Sequence, residues 1–133
     1  MASTHQSVMP REVLDFLVVV PGARCVDGTL GAGGHAERIL RAAPDVELLG
    51  IDQDQDALAE AGRRLSCFGD RVHLCRVPYS RMADAARELG THGIMTFAYD
   101  VATPTVAWVA AELGLPGPRP DTVGITVNKG DLR

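Results

Sequence analysis

Apolar runs that alternate with stretches of helical period predict a Rossmann-like α/β fold, a three-layer sandwich around a parallel sheet of about five strands. Right-handed crossovers would place the strands in the order 3-2-1-4-5. Three observations carry this expectation. The run "VELLGID" is almost continuously apolar, as suits a strand covered on both faces. Proline and glycine punctuate the intervals between runs. A glycine-rich stretch follows the first run, where such folds place their ligands. The 133 residues are expected to form one domain, 1–133, large enough to bury a core.

The elements follow in order. Pro10 to Val19 predicts a helix, with proline in its first turn and Val13, Leu14, Leu17 and Val18 on one face. Pro21 and Gly22 end it, and "ARCVD" is a short strand closing at Asp27. A helix from Gly34 to Ala43 stops at Pro44, and "VELLGID" is the second strand. Asp54 is placed to cap the helix "QDALAEAGRRL", whose Leu58, Ala61 and Leu65 point inward. "RVHLCRV" is the third strand, and "SRMADAAREL" is a helix for which Ser80 would be the cap. "GIMTFA" is the fourth strand. The helix "TPTVAWVAAELGL" has Thr103 as its cap and Gly114 at its close. "PGPRP" is a linker, and "TVGITV" is the fifth strand.

Composition narrows the function classes. No apolar run approaches the roughly 20 residues of a membrane span, and the N-terminus lacks the basic-then-apolar pattern of a signal peptide. Cys25, Cys67 and Cys75 are odd in number and show no CxxC spacing, which predicts reduced thiols in a cytoplasmic protein. Cys25 and Cys75 fall in strand-like runs and read as small core residues. The 13 Lys and Arg against 17 Asp and Glu leave a net charge of −4. The arginines are scattered, and Phe16, Phe68 and Phe97 fall in apolar segments that look like core. The chain by itself is therefore not expected to bind RNA.

The loop "GTLGAGGH", Gly28 to His35, holds four glycines in seven residues. Glycine costs conformational entropy on folding, so such a density points to a tight turn or to a ligand lying against bare backbone. The loop departs from strict GxGxxG. Asp52 lies about 20 residues further on, at the end of the second strand, where an acid accepts both hydroxyls of a ribose. Loop and acid together favour an adenosine-containing cofactor, and no P-loop lysine follows to hold phosphates. The plainer alternatives are that Asp52 and Asp54 cap the next helix, that His35 is a polar helix cap, and that Tyr79 is an ordinary half-buried aromatic.

The segments "HQSVMPREVLDFL", "VDGTLGAGGHAERIL", "LLGIDQDQDALAEAGRRL", "FGDRVHL" and "VPYSRM" resemble the MraW/RsmH-type methyltransferases of bacterial small-subunit ribosomal RNA. The resemblance runs from His5 to about Gly90 and implies S-adenosylmethionine as cofactor and the exocyclic amine of a cytosine as methyl acceptor. Carried over by position, Gly33, Gly34 and His35 would hold the methionine part, Asp52 the ribose, and Tyr79 would lie beside the adenine. Backbone N–H groups at a helix N-terminus suit a carboxylate, and an aromatic ring suits a purine face.

Beyond Gly90 the family pattern would continue roughly as DGxLxDLGVSS. Phe97 stands where its aspartate belongs, no GVSS follows, and Asp100 is offset by an odd number of residues, which turns a strand side chain to the other face. Residues 95–133 instead resemble the junction before the ATP-grasp domain of carboxylate–amine ligases. Lys129 and Arg133 match its "NKxxxR" segment, with Lys129 as a nucleotide-contacting residue or a solvated tail lysine. Tyr99 and Gly124 depart from that pattern. The chain thus reads as a composite, a methyltransferase-like half (1–90) and an ATP-grasp-junction-like half (91–133). It is expected to bind S-adenosylmethionine with weak or absent catalysis. The alternatives are a Rossmann-like module that binds nothing well and a fragment of an ATP-grasp ligase.

Overall fold

A computed structural model describes residues 10–17, 19–95, 103–117 and 119–121. Helix α1 spans Pro10–Leu17, β1 Arg24–Asp27, α2 Gly34–Ala42, β2 Glu47–Ile51, α3 Gln55–Leu65, β3 Val72–Cys75, α4 Met82–Leu89, β4 Gly93–Met95 and α5 Thr103–Leu113. The four described strands are all parallel, in the order β3-β2-β1-β4. These are the first four positions of the expected 3-2-1-4-5 order. The expected fifth strand, "TVGITV", lies outside the described residues, as do Phe97, Tyr99, Asp100, Gly124, Lys129 and Arg133.

Successive strand residues point to opposite faces, so each inner strand feeds two cores. Cys25 and Leu48 join Val13, Ile39, Leu40, Ala61 and Leu65 on the face covered by α1, α2 and α3. Val26, Leu49 and Ile51 join Met82, Ala86, Val106, Val109 and Ala110 on the face covered by α4 and α5. This two-sided burial is why β2 reads as a continuous apolar run. The three-layer α/β architecture is the expected one.

Asp54 caps α3 as expected, its Oδ1 accepting from the Asp56 N–H at 2.9 Å. Gly114, at φ 66°, closes α5, with the Leu115 N–H donating back to the Ala110 carbonyl at 2.8 Å. Ser80 does not cap the helix assigned to it. Pro78 is extended, and the Arg81 N–H donates to the Pro78 carbonyl, so residues Tyr79–Arg81 make a 3₁₀ turn and α4 proper starts only at Met82. No side chain caps it, and Arg81 instead pairs with Asp84 at 2.9 Å. Thr103 is the first described residue of α5 rather than a residue before it. The first helix and the third strand are also shorter than their expected spans. Among the described residues all three cysteines are free, with Cys25 buried, Cys75 half-buried and Cys67 exposed. Burial pushes the Cys25 thiol pKa up. No helix among the described residues is long and apolar enough to cross a membrane.

Candidate cofactor site

The loop between β1 and α2 is stitched to β2 residue by residue. The Leu30 N–H donates to the Ile51 carbonyl at 3.0 Å, and the Gly31 N–H donates to Asp52 Oδ2 at 2.8 Å. The other carboxylate oxygen of Asp52, Oδ1, accepts from the Asp54 N–H at 2.9 Å. Beneath these bonds the Leu30 side chain lies on Gly50, where an added Cβ would come within 2.7 Å of Leu30 Cδ2. A glycine inside a strand marks a close approach of this kind. Asp27 at the end of β1 and Gly50 in β2 are register partners, so the ends of both strands open into the same space.

Gly33 adopts a left-handed φ of 77° at the entry to α2 and closes the loop by donating its N–H to the Leu30 carbonyl at 3.0 Å. A Cβ there would also lie 3.3 Å from Ala61 Cβ and from Leu65 Cδ1, so the dihedral favours glycine and the space beside it is tight. Gly34 and His35 form the first turn of α2, whose leading backbone N–H groups have no helical partner of their own. His35 sits inside the helix, and the N-cap is Gly33 with no side-chain bond, so the cap reading of His35 does not hold. The cap reading of the second acid divides likewise: Asp54 caps α3, while Asp52 ties the loop.

Tyr79 is half-buried in the 3₁₀ turn after β3 and packs on the core beneath α4 and α5. Its neighbours Val77 and Pro78 line a cavity of about 350 Å³ together with Gln53 and Arg76. Arg76 Nε donates to the Gln53 carbonyl at 2.9 Å. The chain next to Asp52 and the chain next to Tyr79 thus share one cavity. Gly33, Gly34, His35 and Asp52 converge at the carboxyl ends of β1 and β2, and Tyr79 flanks them from the end of β3.

Sequence reasoning passed over Asp27. It is 3% exposed, and its Oδ1 accepts from the Thr29 N–H at 3.1 Å. Burial pushes its pKa up from 3.8 to about 6; the Thr29 bond and the charge of His35 pull it down, while the Asp52 carboxylate raises it further. The available signal was its place, an acid ending the first strand directly before the glycines. Phe68 also differs from expectation. It packs against the core only in part, and its ring lies under two guanidinium groups, Arg41 at 5.5 Å and Arg71 at 5.2 Å.

The MraW methylase family model matches residues 2–115. A ribosomal RNA small subunit methyltransferase H from Desulfovibrio desulfuricans is 46% identical over 110 residues, which cover 83% of this chain and 34% of the relative. Its namesake from Syntrophotalea carbinolica is 53% identical over 93 residues, covering 69% and 29%. The chain therefore spans about a third of the length of these curated relatives. Among solved structures, an rRNA methylase from Streptococcus thermophilus superposes with a TM-score of 0.61 at 18% identity, over 86% of this chain and 68% of that one. A SAM-dependent methyltransferase from Aquifex aeolicus gives 0.57 at 12%, over 92% and 78%. These two likenesses concern the fold alone. The family match runs past Gly90, where the resemblance read from the sequence ended, and none of these matches supports the ATP-grasp resemblance of residues 95–133 or a chimera. With 114 consecutive residues matched, through the glycine loop and both strand-end acids, this chain belongs to the MraW methylase family.

Proposed function

We propose that the chain, as a single cytoplasmic domain, is the S-adenosylmethionine-binding part of a methyltransferase acting on small-subunit ribosomal RNA. The observation that carries this reading is the pair of carboxylates, Asp27 and Asp52, set around a glycine loop whose left-handed Gly33 disfavours a side chain. The residues suit the cofactor. Asp52 uses one lone pair of each oxygen on backbone N–H groups and keeps acceptor capacity for a ribose diol. The N–H groups opening α2 at Gly34 and His35 would receive the carboxylate. Tyr79 would lie along the adenine. Asp27, ionised, is the counter-charge for a cationic ligand. When bound, the cofactor supplies an electrophilic methyl group. The chain's own part is to hold that group in one orientation at the sheet end.

The acceptor in this reading is a cytosine amine, as for the family. Transfer by this chain is weak or absent, because Phe97 stands where the family pattern has an aspartate. Calorimetric titration with S-adenosylmethionine and S-adenosylhomocysteine tests the binding half directly, and no heat at millimolar ligand would end it. Asp52→Ala should weaken binding by more than tenfold, about 1.4 kcal/mol. Asp52→Asn, which keeps an acceptor oxygen, should fall between. Unchanged affinity in both variants would place the adenosine elsewhere.

In the same reading the isolated chain does not grip ribosomal RNA. Phosphate contacts supply most non-specific affinity, and a net charge of −4 opposes them. A gel-shift series with a small-subunit rRNA fragment at about 0.1 M salt, where the Debye length is about 10 Å, should show no complex at micromolar chain. A micromolar complex there would overturn this expectation.

A further inference from the structure

At the amino end of the sheet, opposite the glycine loop, the C-terminus of α2 and the turn after α3 flank a second, open cavity of about 650 Å³. Arg41, Arg71, Phe68, Ala43, Pro44 and Asp45 contribute its walls. The volume falls in the range of small-molecule sites, roughly 300–1,000 Å³. Its chemistry is mixed in a specific way. Two guanidiniums lie over one aromatic ring, proline and alanine add apolar surface, and Asp45 is the one carboxylate among the lining residues.

The two arginines are held differently. Arg71 Nη1 donates to the Leu40 carbonyl at 3.3 Å and to the Val46 carbonyl at 3.5 Å, which ties down the open end of α2. Arg41 reaches outward, its side chain 63% exposed, and pairs with Glu37 at 2.9 Å. Glu37 also faces Arg64 at 4.0 Å, so one acid is shared between two cations. Against an anion stand Asp45, Glu37 and the carbonyl end of α2. In its favour stand Arg41, Arg71 and Arg64. The balance admits a single phosphate rather than a run of them.

We propose that this cavity is an accessory site for one nucleotide of an RNA strand, remote from the methyl-transfer end. The phosphate would meet Arg41 and Arg71. The base would stack on the Arg41 guanidinium, a planar group that lies over the Phe68 ring, with Pro44 at its edge. Guanidinium planes and aromatic rings are the usual stacking partners of unpaired bases. Asp45 would accept an exocyclic amine or a ribose hydroxyl. The choice of RNA rests on the proposed ribosomal RNA reading; the cavity and its charges do not. One such contact releases about one counterion and gives an affinity on the order of millimolar, in keeping with the expectation that the isolated chain forms no micromolar RNA complex.

The test is an NMR titration of the whole chain with cytidine monophosphate, in parallel with inorganic phosphate and with cytidine. Expected are shifts of the Phe68 ring and of the Arg41 and Arg71 Nε–H signals, saturating at roughly millimolar nucleotide. Phosphate alone or cytidine alone should bind at least fivefold more weakly. Arg41→Glu should abolish the shifts, Arg41→Lys should retain part of the affinity, and Arg119→Glu, an equal charge change elsewhere, should leave it unchanged. S-adenosylmethionine added to the same sample should leave the Phe68 signals in place, whether or not it binds near Asp52. Silence at Phe68, equal affinity for phosphate alone, or undiminished binding by Arg41→Glu would each overturn the proposal.

Discussion

Asp27→Asn is expected to remove a pH dependence worth about 3 kcal/mol from the stability of the chain. In the native state the Asp27 carboxyl titrates at about 6, against 3.8 in its ordinary setting, so between those values the folded chain keeps a proton that the unfolded chain has released. Stability therefore falls as pH rises from about 4 to about 6 and levels off above. Two pKa units correspond to about 3 kcal/mol. The asparagine retains an oxygen for the Thr29 N–H and carries no charge to desolvate. Chemical denaturation of both proteins from pH 4 to pH 8 should give equal stability at the acid end and a more stable variant at the neutral end. A constant difference across that range would place the titration on another group. On the proposed reading, in which Asp27 is the counter-charge for the cofactor, the stabilised variant should also bind S-adenosylmethionine more weakly, because it has lost that charge. S-adenosylhomocysteine, which lacks the sulfonium charge, should lose less.

Gly50→Ala should cost about 1–3 kcal/mol, the range for forcing a methyl group into a packed interior. The new Cβ would lie 2.7 Å and 2.8 Å from the two methyl carbons of Leu30 and 3.0 Å from Leu74 Cδ2. Leu30 has little freedom to yield, because it is 4% exposed and its N–H is bonded to the Ile51 carbonyl. Displacing it moves Gly31, hence the loop contact to Asp52, so ligand binding should weaken along with stability. Combining Gly50→Ala with Leu30→Ala should be less damaging than the sum of the two, because the second change removes the atoms that the first one strikes. Urea unfolding of the four proteins measures this coupling. Strict additivity would show that the two side chains do not meet.

The features legible in the sequence are those that local chemistry dictates. The apolar runs among the described residues, the Asp54 cap, the Gly114 stop and the glycine loop each follow from a few neighbouring residues, and each lies where expected. Ser80 failed because the extended Pro78 sets up a 3₁₀ turn that absorbs the cap position, and no propensity distinguishes that turn from a helix start. The importance of Asp27 was hidden because burial at a strand end depends on what the neighbouring strand and loop place over it. The second role of Phe68, beneath two guanidiniums, was hidden for a related reason. In the chain it is 27 residues from Arg41, and only the packing of α2 beside α3 brings the guanidinium over its ring. The candidate site residues Gly33, Gly34, His35, Asp52 and Tyr79 come from loop position and family resemblance, and parallel strands that deliver successive loops to one edge place them at the same end of the sheet.

The stitching of the glycine loop to β2 bears on how fast a ligand can be captured. Because Leu30 and Gly31 spend their amide protons on Ile51 and Asp52, this stretch is a fixed socket rather than a flap. A small molecule arriving at such a socket waits for no closure and orders little backbone on arrival. Capture is then governed by diffusion and orientation, with residence time left to set the affinity.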